Sequence, residues 1–291
     1  MLDLDIDKIK KIMKKIFKIQ FWEKHKNLIH GFSTKMLGNI SFRTGDRKTV
    51  SERRIVMAGE LGIDWNNVLI LPLSHSNRVL SLPKTEHFSK DSSGVYQSGG
   101  HIFHAHRQPI HNNPNWQIGI DAIVTDKSDV FPVIMSADCA AIGLFDTQNN
   151  VFALAHVGLI GAINEIVTNV IHCMMSEYKS DPTKIEIVMF PSIRKCHYDL
   201  KISGAWERIK QDSINYYGES NPIFFDNMFD LQGLITYQLI NTGVKIDLIH
   251  DTKMCTVCDN NLFFSNLAAG NPQAKMDEGR FASIMGMINE R

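Results

Sequence analysis

Cys139, His156 and His75 are the side chains whose types and placement could do chemistry together. Ala137-Asp138-Cys139 follows a hydrophobic, strand-like run, which presents a thiol at a strand end. A second hydrophobic run, Val151 to Ala155, delivers His156 at its own end, ahead of Gly158 and Gly161. An earlier run ending near Leu73 delivers His75 in the same way. If those strands are neighbours, their ends bring the three side chains together. Two imidazoles and one thiolate with an open fourth position is the pattern of a catalytic zinc, because a structural zinc closes its shell with a fourth protein ligand. The same residues also suit a thiol hydrolase, with Cys139 as nucleophile and His156 as base, acting on an amide such as a cell-wall peptide linkage. Alkylation kinetics at Cys139 would separate the two, and the residue types leave both open.

The remaining cysteines read in different ways. Cys255-Thr256-Val257-Cys258 is half of a zinc knuckle, but the chain has no second CxxC and no paired HxxxH. It therefore reads as two neighbouring structural thiols. Cys173 lies inside a helical pattern beside Met174 and reads as packing, while Cys196, next to His197 and Tyr198, is a candidate pocket-lining residue. Five cysteines, an odd number dispersed through 291 residues, suit free thiols or metal ligands in a reducing compartment better than a disulfide framework. The expected location is cytoplasmic.

The elements that must position these groups follow from periodicity. Ile6, Ile9, Ile12, Met13, Ile16 and Phe17 recur at helical spacing with lysines opposite, predicting an amphipathic N-terminal helix within residues 1–27. Thr49 to Leu61 reads as a helix ended by Gly62, and Leu231 to Asn241 as one closed by Gly243. Short apolar runs at Val68–Leu73, Ala122–Thr125, Val133–Met135, Ile142–Phe145, Val151–Ala155, Ile185–Phe190 and Ile246–Ile249 read as strands, and Phe281–Ile288 as a last apolar element. Ile163 to Met174 has helical spacing. Residues from about 83 to 118, with five histidines among Ser, Gly, Asn and Pro, read as a surface loop inserted into the domain. Strands and helices alternate without a linker, so one α/β domain over 28–291, with mixed sheets flanked by helices, is expected.

Composition narrows the partners. Lys plus Arg equals Asp plus Glu at 31 each, which removes the basic footprint of a nucleic-acid binder. No apolar run approaches the ~20 residues of a membrane span. A small-molecule partner is expected, with the chain a monomer or homodimer.

Taken in order, several short stretches resemble the laccase-domain (YfiH-like) family, whose members look like purine nucleoside phosphorylases. They are Ile29-His30-Gly31-Phe32-Ser33-Thr34, Asp121-Ala122-Ile123-Val124-Thr125, Ala137-Asp138-Cys139, Ala155-His156-Val157-Gly158, Pro191-Ser192-Ile193 with Cys196-His197-Tyr198, Phe263-Phe264-Ser265, and Gly279-Arg280-Phe281-Ala282-Ser283-Ile284. The resemblance implies a layered α/β (α+β) fold like that of YfiH and the cytotoxic necrotizing factors. It also implies a metal held by His75, Cys139 and His156, and phosphorolysis of adenosine, inosine or methylthioadenosine with adenosine deamination as a side activity. Zinc is the implied metal. The family's older label of multicopper polyphenol oxidase needs more copper-binding His and Cys than this chain offers. Lys35, Arg54, Cys196 and Arg280 are the candidate contacts to substrate and phosphate, and Asp138 the candidate to orient a ligand histidine.

The chain also departs from the pattern. Where the family has Ala-Gly-Trp-Arg-Gly it has Val157-Gly158-Leu159-Ile160-Gly161, so an aromatic and an arginine are replaced by aliphatics. Lys35 stands for an arginine, and Asn266-Leu267-Ala268 for Tyr-Arg-Arg. These changes imply a diverged enzyme with an altered substrate, or a member whose catalysis has weakened while fold and metal remain.

Overall fold

The computed structural model describes residues 14–83, 89–90, 96–97, 103–104, 119–201, 224–225, 228–269 and 278–289. Its strands are β1 (Ile16–Phe17), β2 (Leu28–Ser33), β3 (Val68–Ile70), β4 (Val79–Leu82), β5 (Ser89–Lys90), β6 (Tyr96–Gln97), β7 (Phe103–His104), β8 (Ala122–Thr125), β9 (Phe131–Ser136), β10 (Ala140–Asp146), β11 (Val151–Val157), β12 (Ile185–Met189), β13 (Phe224–Phe225), β14 (Met228–Phe229), β15 (Ile249–Asp251) and β16 (Phe281–Met287). The helices that matter here are α1 (Arg47–Leu61), α2 (Leu159–Ile163), α3 (Ile166–Tyr178) and α4 (Leu231–Asn241).

Two mixed sheets carry the architecture, in the orders β1-β2-β16-β9-β3 and β15-β12-β10-β11-β8-β4-β7. Side chains alternate between the faces of a strand, so a strand covered on both sides reads as a continuous apolar run. On β10, Ile142 and Leu144 face α3 and α4, where they meet Val167, Val170, Leu234 and Ile235. Ala141 and Phe145 point the other way, into a core shared with Phe32, Ile134, Phe281 and Met285 of the first sheet. The far face of that first sheet takes Ala282, Ile284 and Val133 onto Met57, Ala58 and Leu61 of α1. The result is helix, sheet, sheet, helix: the layered mixed α/β fold expected from the strand and helix pattern.

Local signals hold at the helix ends. Asp46 caps α1 by accepting the Thr49 N–H, and Gly62 ends it in the left-handed region at φ 70°. Three expectations change. The described part of the predicted N-terminal helix is strand β1 and a short 3-10 turn at Gln20–Trp22, while residues 1–13 lie outside the described residues. Ile16 and Phe17 pair with Ser33 and Phe32, and Trp22 is fully buried, so a tertiary partner overrides a helical period. Ile246–Leu248 is a 3-10 turn, with the strand displaced to Ile249–Asp251. Within the His-rich stretch, β5 pairs with β6 and β7 pairs with β4, so its described pieces are strand rather than loop.

His30, on β2, shows what this packing does to a titratable group. It is 3% exposed, its Nδ1 accepts the Ile19 N–H, and Trp22 meets its ring edge-on. Burial lowers its pKa from 6.5 to about 4. The unfolded chain takes up this proton near pH 6.5 and the folded protein only near 4, so stability should fall as pH drops through that window. The expected loss from this group is about 3 kcal/mol. Denaturant titrations at pH 7 and 4.5 check it: His30→Asn, which keeps an acceptor but cannot be protonated, should lose much less stability on acidification than the parent.

Candidate metal centre

The three residues read as a chemical set do converge: ligand atoms of His75, Cys139 and His156 all lie within 4.8 Å of one another. The route differs from the simple strand-end picture. Cys139 lies in the crossing from β9 of the first sheet to β10 of the second, and β10, not β9, is the neighbour of β11. Because β10 and β11 are antiparallel, with Ala141 opposite His156, the start of one strand meets the end of the other. His75 comes from the turn between β3 and β4, in the left-handed region at φ 57°.

Asp121 holds that turn in place. Its carboxylate is fully buried at the head of β8 and accepts the backbone N–H groups of Ser74, His75 and Ser76 at 3.2, 3.0 and 2.7 Å. It also accepts the Ser74 and Ser76 hydroxyls and, at 2.8 Å, His156 Nδ1. A ring whose Nδ1–H donates to a carboxylate presents Nε2 as a lone pair, the arrangement usual for a metal-ligating histidine. One buried carboxylate thus sets the backbone of one imidazole ligand and the ring of the other. Burial would raise the Asp121 carboxyl, yet the bonds from His156 and Ser76 hold it below the usual carboxylate range.

The electrostatics of Cys139 and His156 are mutual. Burial would raise the thiol, but the His156 charge and bonds from His156 and His75 bring it down to about 6. Burial would lower His156, but the Cys139 thiolate and the bond to Asp121 raise it to about 10. Cys139 Sγ and His75 Nε2 stand 4.0 Å apart.

These residues fit a divalent ion. The Cys139 thiolate and Asp121 carboxylate carry two negative charges, which a divalent cation neutralises with both imidazoles uncharged. Gly158 supplies the space, since a Cβ there would lie 2.9 Å from His75 Cδ2 and 3.2 Å from Cys139 Sγ. His75 is exposed while His156 is buried, so the cluster is open on one side. Three ligands with one open face is the geometry in which a metal can act on substrate.

The other candidates separate. Asp138 does not orient a histidine: its carboxylate accepts from Thr256 Oγ1 at 2.7 Å and Leu267 N at 2.8 Å, at a backbone φ of 106°. Asp121 has the role assigned to it. The signal for Asp121 was an acid at the head of an apolar strand, with no local feature to name its partners. Arg54 is buried, donates Nε–H to Ile40 O at 2.9 Å and packs on the Phe42 ring at 4.0 Å, so the fold engages its guanidinium. Lys35 lies over the Phe264 ring at 5.5 Å. Arg280, half-buried, feels the charges of Cys139 and Asp138, and of Arg43, which sequence reading did not single out. Cys196 does not join this cluster but lies against Cys255 and Cys258.

A model of the family described as multi-copper polyphenol oxidoreductase laccase matches residues 27–288. The chain belongs to that laccase family. Among named relatives, the purine nucleoside phosphorylase YlmD of Bacillus subtilis strain 168 is 21% identical over 286 residues, covering 93% of this chain and 92% of YlmD. A protein named adenosine deaminase RL5, from an unknown prokaryotic organism, is 24% identical over 222 residues, 76% of this chain and 77% of RL5. The YlmD of Geobacillus stearothermophilus is 24% identical over 176 residues; the match spans 60% of this chain and 61% of that protein. A phosphorylase of Clostridium acetobutylicum is matched over 56% of its length.

The fold agrees with this laccase-family membership. The solved structure of Bacillus licheniformis YfiH superposes with a TM-score of 0.75 at 19% identity, covering 94% of this chain and 97% of YfiH. Geobacillus stearothermophilus YlmD gives 0.70 at 20% identity, over 92% and 94%. Among the described residues, no helix is long and apolar enough to cross a membrane. Within the family this chain is diverged, with Leu159 and Ile160 half-buried at the start of α2, directly after the ligand strand β11.

Proposed function

We propose that the protein is a zinc-dependent purine nucleoside phosphorylase, acting on adenosine, inosine or methylthioadenosine, with adenosine deamination as a side activity. The observation that carries this reading is the His75, Cys139, His156 cluster, oriented by Asp121 and open on the His75 side. His75, Cys139 and His156 would hold the zinc, which when bound supplies Lewis-acid charge to the oxygen that reacts.

The protein's own residues then have defined tasks. Arg280, beside Cys139 and Asp138, holds the phosphate with help from Lys35. Asp138 fixes the loop that aims Cys139, through its bonds to Thr256 and Leu267. Asp121 keeps His156 Nε2 directed at the cluster. In phosphorolysis a phosphate oxygen bonds to the anomeric carbon, the glycosidic C–N bond breaks, and its electron pair leaves with the purine. In deamination water adds at the purine ring carbon and ammonia leaves. Leu159 and Ile160 stand directly after β11, where the family carries a flat ring and a cation, so a preference for a less polar nucleoside, methylthioadenosine over inosine, is expected.

A second reading, a thiol hydrolase, draws on the mutual stabilisation of the Cys139 thiolate and His156 imidazolium, with Asp121 as the orienting third group. His75 favours the first, because a nucleophile-base pair needs no second imidazole. The test is incubation of zinc-replete protein with each nucleoside, with and without phosphate, followed by chromatography. Free purine base appearing only with phosphate is expected. Inosine from adenosine irrespective of phosphate would make deamination the main activity, and no turnover of any nucleoside would overturn the proposal.

A further inference from the structure

A second cluster, outside the site just described, gathers Cys196, His197, Cys255 and Cys258, with one ligand atom of each within 4.8 Å of all the others. The sequence shows only one CxxC, and the structure supplies the other half as an adjacent Cys-His pair. The pairing comes from topology. β12 and β15 run parallel, with Met189 opposite Asp251, so the chain leaves both strands at the same end of the sheet. Ser192 N donates to Met254 O, Thr256 N donates to Ser192 O, and Arg194 binds Asp251 through two N–H groups at 2.8 and 2.6 Å. None of these bonds involves a thiol, so the two loops are clamped together by the fold itself.

The distances within the cluster are those of a coordination shell. Cys196 Sγ is 3.7 Å from Cys255 Sγ and 3.7 Å from Cys258 Sγ. His197 Nδ1 is 3.2, 3.8 and 3.5 Å from the sulfurs of Cys196, Cys255 and Cys258. A regular tetrahedron around zinc, with the usual zinc–sulfur and zinc–nitrogen bonds, has edges of about 3.8 Å between sulfurs and about 3.5 Å between sulfur and nitrogen. A disulfide would draw two sulfurs together and leave the third thiol and the imidazole unused.

We propose that Cys196, His197, Cys255 and Cys258 form a second metal site, a closed three-sulfur, one-nitrogen shell that binds zinc structurally. Three thiolates around a divalent ion leave one negative charge, and Arg194, whose guanidinium feels Cys255, lies beside it. The site braces the first one. Ile193 N donates to Asp138 O at 2.8 Å and Thr256 Oγ1 donates to the Asp138 carboxylate, so both clamped loops hold the residue that precedes Cys139. The two ions have different work: one with an open face, one with none.

The test is elemental analysis of protein purified from zinc-supplemented medium, together with cobalt substitution. Two zinc ions per chain are expected, one in a His75→Ala protein and one in a Cys255→Ser, Cys258→Ser protein. Cobalt bound to His75→Ala should show the strong thiolate charge-transfer absorption of a three-sulfur shell; cobalt bound to the double serine variant should show the weaker band of one sulfur. If the serine variant is insoluble, Cys258→His, which keeps four ligands, should restore both solubility and the second ion. One zinc per chain, lost on His75→Ala and kept in Cys258→His, would overturn the proposal. So would a mass-spectrometric Cys196–Cys255 or Cys196–Cys258 disulfide in the zinc-replete protein.

Discussion

A His75→Ala protein should keep its fold and lose both the ion of the open site and its turnover. His75 is exposed, so trimming its ring opens no cavity in the core, and the Asp121 bonds that shape its turn go to backbone and serine groups that the substitution leaves in place. What disappears is one of three ligands. Two remaining ligands hold zinc far more weakly, and loss of the charge that acts on the reacting oxygen is expected to lower kcat/KM by a factor on the order of 10³ or more. Circular dichroism, zinc content and nucleoside turnover read the three parts separately. The outcome that would sink the metal reading is a folded His75→Ala protein with near-parental turnover, because a Cys139 nucleophile with His156 as its base would survive this change.

Asp121→Asn should be strongly damaging although it is a conservative change. The carboxylate serves six donors, among them three backbone N–H groups and His156. An amide of the same shape offers one acceptor oxygen and turns an N–H₂ toward groups that are themselves donors. Leaving buried donors facing a donor, and removing the partner of a buried histidine, costs about 3 kcal/mol or more. For a domain of this size that lowers Tm by roughly 5 °C. Zinc affinity of the open site should fall by roughly 10 to 100-fold, since His156 loses the group that sets its tautomer and aim. Asp138→Asn is the matched control: its carboxylate bonds Thr256 and Leu267 and no imidazole, so zinc affinity should fall much less than in Asp121→Asn. Calorimetry and chelator competition on the two variants check this. Equal zinc affinities would mean that Asp121 is a fold residue alone.

Much of the scaffold was legible in the sequence because its signals are local. Runs such as Ile142–Phe145 and Val151–Ala155 are apolar on both faces, which marks strands sandwiched between layers, and the structure extends them to β10 and β11 without moving them. Gly62 and Gly243 mark helix ends because each takes a positive φ that other residues resist. Cys139, His156 and His75 could be picked out by residue type and by position beside those runs.

Tertiary structure decided what depends on partners remote in the chain. Ile16 and Phe17 carry a helical period, but the edge of β2 offered them a ladder and the core offered Trp22 a place, and those contacts outweigh local preference. Asp121 stands in a short motif with nothing to announce six donors, because the donors come from a turn forty-five residues earlier and a strand thirty-five residues later. Cys255 and Cys258 read as two plain thiols until the parallel pairing of β12 and β15 brought Cys196 and His197 across to them. Residue type and spacing determine which side chains can bind a metal or move a proton. Which of them meet is set by strand pairing, a long-range interaction that leaves almost no trace in the local sequence.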